Sequence, residues 1–123
     1  MNALLRCALI VLLTALAPSG TCRAQNQHEM NREAARAFET ADASLNKVYQ
    51  QLTAKLDKES QGKLIAAQRA WVQFRDAEAQ FQADLDARDG SMAPLIYDST
   101  RAELTKRRIK DLELRLKDFS HTH

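Results

Sequence analysis

The sequence predicts an all-α protein: three long antiparallel helices joined by short turns, forming one small bundle. Three observations predict it. Apolar residues recur every three or four positions over long stretches, no segment alternates as a strand would, and only 3 glycines and 2 prolines interrupt the 123 residues.

The front of the chain reads as an address. Met1 to Arg6 carries one positive charge, Cys7 to Ala17 is an almost unbroken apolar run, and Pro18-Ser19-Gly20 breaks it. Cys22, Arg23 and Ala24 then place small residues three and one before a cut ahead of Gln25, the pattern of a cleaved secretory signal over 1–24. A retained anchor is the bland alternative, but the run is about half of the roughly 20 residues a membrane span needs. A lipoprotein cut before Cys22 is the other alternative, and Ser19 and Thr21 suit it poorly. The expectation is a periplasmic or secreted protein with no stable membrane insertion. Removing 24 of the 123 residues leaves a single domain, 25–123, of 99 residues. Both cysteines go with the signal, so no disulfide is available. Arg6 and Arg23 go too, which brings the 18 basic residues level with the 16 acidic ones. A balanced chain gives no support to nucleic acid or an anionic membrane as partner.

The first helix is expected to open at a capping box, Asn26 with Glu29. Its seam runs through Met30, Ala34, Ala37, Ala41, Leu45, Val48, Leu52 and Leu56. Asp57 to Ser60 marks a turn and a new helix start. The second seam is Leu64, Ala67, Trp71, Phe74, Glu78, Phe81 and Leu85. Asp89-Gly90-Ser91 breaks the chain again, with Gly90 suited to a left-handed helix end and Ser91 to capping the next. Pro94 is tolerated in a first turn. The third helix runs through Leu95, Ala102, Thr105, Ile109, Leu112, Leu116 and Phe119, and the tail Ser120 to His123 is expected to fray.

Gln68, Trp71, Arg75 and Glu78 form one stripe on the second helix, mixing the sole tryptophan with two charges and an amide. An ordinary amphipathic helix keeps such groups apart. Glu78, lying on the seam, should be buried against a cation, with Arg108 or Arg75 as the partner. Thr105 likewise needs a hydrogen-bond partner once buried. Asp42, Asn46 and Tyr49 make a similar polar stripe beside the first seam. A polar network that fixes helix register and a contact surface for a partner both fit these stripes. Asp42 and Glu78 as a glycosidase pair would need an open sugar groove, which a thin bundle does not offer. Two histidines on a tail do not make a metal site, and no glycine-rich phosphate loop occurs. No catalytic, metal-binding or cofactor-binding residue is assigned, and no cofactor is expected. The turn from Asp86 to Tyr97 concentrates apolar, basic and hydroxyl groups at a chain break, making Arg88, Ser91, Met92 and Tyr97 the candidate partner-binding residues.

Ala41-Asp42, Leu45-Asn46 and Tyr49; Gln68, Ala70-Trp71, Phe74-Arg75-Asp76 and Glu78; and Gly90-Ser91-Met92, Leu104-Thr105 and Arg108 stand in the order of three motifs. Together they resemble the LprI-type lysozyme inhibitors, small exported helical proteins of bacteria. The resemblance covers nearly all of 25–123. It implies a non-enzymatic protein that binds a lysozyme-type glycoside hydrolase and protects the cell wall. It also implies cysteines where this chain has Glu33, Ala79 and Thr100, so an expected disulfide is missing here. An immunity protein against a wall-targeting toxin and a non-catalytic envelope module are the alternative functions.

Overall fold

The computed structural model describes residues 19–88 and 90–122, and it is a three-helix bundle with no strand among them. Helix α1 spans Ser19–Thr53, α2 Lys58–Ala87 and α3 Ala93–Thr122. The apolar run of the proposed signal and His123 lie outside the described residues. No helix among the described residues is long and apolar enough to cross a membrane.

α1 begins seven residues ahead of the expected start, and Asn26 sits inside it rather than at its cap. Residues 22–26 are exposed, and nothing in their sequence breaks a helix, so the helix continues into solvent. Among the described residues the first buried one is Ala34, and Cys22 to Ala24, just ahead of the expected cut, are exposed. α1 ends in a turn in which Gln61 Nε2 donates to the carbonyls of Thr53 (3.0 Å) and Leu56 (2.9 Å), satisfying acceptors a helix end leaves open. Asp57 is the N-cap of α2: its backbone is extended and its Oδ1 accepts from the Ser60 amide at 2.8 Å.

The second turn departs from expectation. Arg88, not Gly90, takes the left-handed conformation that ends α2, with φ 31° and ψ 71°. Gly90 is needed for a different reason. Its amide donates to the Ala87 carbonyl at 2.7 Å, and a Cβ there would lie 2.8 Å from that oxygen. Ser91 does not open α3: the helix starts at Ala93, with the Met92 carbonyl accepting from the Ile96 amide. The Ser91 carbonyl instead accepts from Asn31 Nδ2 at 3.3 Å, tying the turn to α1. The tail does not fray at Ser120; α3 continues to Thr122.

α3 lies in the middle, packed on both other helices, while the backbones of α1 and α2 barely approach each other. Small residues explain the closeness: Ala34 and Ala41 on α1, Ala79 and Ala83 on α2, and Ala102 on α3 are all buried. The core divides along the bundle axis. The half beside the α1–α2 turn is apolar, with Leu45, Val48, Leu52 and Leu112 surrounded by Leu64, Trp71, Ile109 and Phe119. The other half holds few large apolar side chains and is filled by arginines and aromatic rings.

The first and third seams follow the expected positions, except that Met30 and Ala37 face solvent. The second seam does not. Phe74, Phe81 and Leu85 are 53%, 58% and 65% exposed, and Ala67 is exposed as well. The face of α2 that packs inward instead carries Arg75, Ala79 and Ala83. Helical periodicity alone does not say which face of α2 turns inward, and the larger side chains mark the outer one.

Candidate functional site

Arg75 organises the polar half of the core. It is 5% exposed, and its Nη1 donates to Asp42 Oδ1 at 3.1 Å across to α1. Its Nε donates to Asp76 Oδ1 at 2.8 Å. The guanidinium carbon lies 4.9 Å from the centre of the Phe38 ring and 5.3 Å from that of Trp71. On α3, Arg101 stacks more closely on Phe38, at 3.5 Å, and also covers Tyr97 at 4.8 Å. Asp98 accepts from Arg101 Nη1 at 3.2 Å, and Asp76 lies 3.5 Å from Arg101 Nε. Two cations thus share three carboxylates and three rings, and Asp76 lies within ion-pair distance of both cations. Planar guanidinium suits this role because it can lie on an aromatic face while its edge donates to carboxylates.

Of the polar stripes, Asp42, Arg75 and Trp71 meet here, and Gln68 accepts from Arg108 Nε at 3.1 Å a little further along. Arg108 also lies 5.8 Å from the Trp71 ring. Tyr49 is half-buried beside the apolar core, and Asn46 is exposed. Glu78 does not pair with Arg75 or Arg108. It is half-buried at the edge of the bundle, accepts from Gln82 Nε2 at 2.9 Å, and Gln82 in turn accepts from Thr100 at 3.2 Å. A carboxylate that keeps water needs no cation, and Arg75 is already engaged by Asp42 and Asp76. Thr105 is fully buried, yet its hydroxyl has no hydrogen-bond partner among the described residues. The indole N–H of Trp71 makes no hydrogen bond among the described residues.

Phe38, Asp98 and Arg101 are central to this cluster, and sequence reasoning missed them. The signal was present: Phe38 stands one turn before Asp42, and Arg101 one turn after Tyr97 and Asp98. The groups of this cluster are packed against one another, and among the described residues no three metal-binding side chains converge.

The outward surface differs. Phe74, Phe81 and Leu85 share a face of α2 with Ala67, Ala70 and Ala77, all exposed. Beyond Leu85 this stripe reaches Arg88, and Phe81, Leu85 and Arg88 line a shallow hollow with Gln80 and Asp84. Arg88, Ser91 and Met92 are exposed at the turn, Met92 at 48%. Tyr97 is half-buried, with one side of its ring taken by Arg101.

Comparison with known proteins agrees with the motifs. The family model described as lysozyme inhibitor LprI matches residues 20–112. An uncharacterised protein of Rhizobium meliloti (strain 1021) is 36% identical over 126 residues, covering 86% of this chain and 90% of that protein. No solved structure matches the chain. With a family match over most of its length, this chain belongs to the LprI lysozyme-inhibitor family.

Proposed function

We propose that this protein is exported, binds a lysozyme-type muramidase and blocks it, protecting the bacterial wall without chemistry of its own. Family membership supports the class of target. The observation that carries the binding face is the exposed apolar stripe Phe74, Phe81 and Leu85, which runs into the turn bearing Arg88, Ser91 and Met92. A thin bundle that leaves both phenylalanines of α2 outside while burying alanines has a surface suited to a partner. Met92 and Leu85 fill sugar-binding subsites, while Arg88 meets the carboxylates that cleave the glycosidic bond. Tyr97 contributes only the outer edge of its ring.

The backbone at Arg88 adds support. A residue with a Cβ in the left-handed region costs about 1–2 kcal/mol relative to its preferred conformation. Glycine would avoid that cost, so retaining arginine there fits a role for its side chain. The test is a wall-lysis assay with a panel of purified lysozymes and increasing amounts of the protein. Saturable inhibition of at least one enzyme near equimolar ratio is expected. Inhibition of none, with protection only against a toxin that attacks the wall by another route, would replace this reading with the immunity alternative.

A further inference from the structure

At the end of the bundle opposite the α2–α3 turn lies a cavity of about 390 Å³, within the size range of small-molecule sites. Leu52, Leu56, Leu64, Leu112 and Phe119 line it, all buried or half-buried members of the apolar core. Its rim carries Lys63, Arg108 and Arg115 against a single carboxylate, Asp118. Lys63 is already paired with Glu59 at 2.8 Å. Arg108 and Arg115 form no ion pair among the described residues. On the rim itself the two arginines meet one carboxylate, and Asp111, which does not line the cavity, acts on Arg108 from outside it.

We infer that this cavity binds a monoanionic amphiphile, a carboxylate with an unbranched apolar chain, its head between Arg108 and Arg115 and its chain on the leucines. Each part of the cavity supplies one requirement. The leucines and Phe119 remove the chain from water, at about 25 cal/mol per Å² of apolar surface covered. The arginines offer fork-shaped donors that match a carboxylate. Arg108 is held in place by its bond to Gln68 and its position over Trp71, so its head group is preorganised. Burial pushes the Arg108 guanidinium below its usual value, the charge on Arg115 pushes the same way, and Asp111 opposes both. An anion between the two arginines relieves both unfavourable effects. The site is remote from the proposed lysozyme-binding face and does not depend on it.

Calorimetric titration of the purified protein with decanoate, decanol and acetate, each below any micelle concentration, tests the inference. Decanoate should bind saturably at one site per chain. Decanol, which keeps the chain but loses the charge, should bind at least tenfold more weakly, and acetate should not bind measurably. Arg115→Gln changes an exposed side chain, so the variant should melt like the parent yet bind decanoate at least fivefold more weakly. Emission from Trp71, the sole tryptophan, should shift with the same midpoint as the heat. Absence of saturable decanoate binding overturns the inference. So does decanol binding as tightly, acetate binding as tightly, or Arg115→Gln leaving the affinity unchanged.

Discussion

Arg75 is the residue whose loss should be felt most. It is buried, bonded to Asp42 and Asp76 on two helices, and stacked between Phe38 and Trp71. Arg75→Ala leaves a cavity and breaks a buried ion pair, with an expected cost of about 3–5 kcal/mol in denaturant unfolding. Arg75→Lys keeps the charge but loses the planar fork and the stacking, so it should recover less than half of that. Glu78→Ala is the contrast: half-buried and bonded to an amide, it should change stability by about 0.5 kcal/mol or less. Thr105 tests the opposite sign. Its buried hydroxyl lacks a partner among the described residues, and Thr105→Val replaces it with a methyl of similar shape. That variant should be more stable by about 1 kcal/mol. Equal or lower stability would mean that water reaches the hydroxyl.

At the scale of elements, the helix count and the places of the turns were legible, and the caps of the second turn and the inward face of α2 were not. Asp57 capped α2 as its type and spacing predicted, because a short carboxylate before a helix satisfies an open amide whatever the tertiary context. Its pKa lies below the usual carboxylate value because the Ser60 amide holds the ionised form first of all. A depressed folded pKa adds stability above the unfolded value, and that stability is lost as pH falls through the folded one. Asp57→Asn should therefore flatten the decline of Tm below about pH 4, and an unchanged acid profile would show that the cap is not ionised.

On α2, two stripes both have helical period, and size favoured Phe74, Phe81 and Leu85. The bundle chose Arg75, Ala79 and Ala83, because close packing on α3 needs small side chains and Arg75 reaches Asp42 only once α1 and α2 come together. Phe38 lies on α1 and Asp98 and Arg101 on α3, so no pattern local to α2 revealed the cluster. Arg88 joins element to function. Arg88→Gly should raise stability by about 1 kcal/mol by relieving the left-handed backbone. The same change should weaken lysozyme inhibition, and Tm measured alongside inhibition separates the two effects.

For the whole molecule, one end is an apolar core and the other an array of guanidinium groups, carboxylates and rings. This division explains how the chain holds three helices together with no cysteine beyond residue 22. It also frees Phe74, Phe81 and Leu85 of α2 to face outward, continuous with the turn at the polar end. The central claim is that this outward stripe and turn form the face that meets a lysozyme. The most direct test uses whichever lysozyme the protein inhibits and titrates it with the parent and with the Phe81→Ser, Leu85→Ser, Met92→Ser triple variant. All three side chains are about half exposed or more, so helix content and Tm should stay close to the parent values. Affinity should fall at least tenfold, equivalent to about 1.4 kcal/mol. A triple variant that binds and inhibits as the parent does would place the lysozyme-binding face elsewhere and contradict the account.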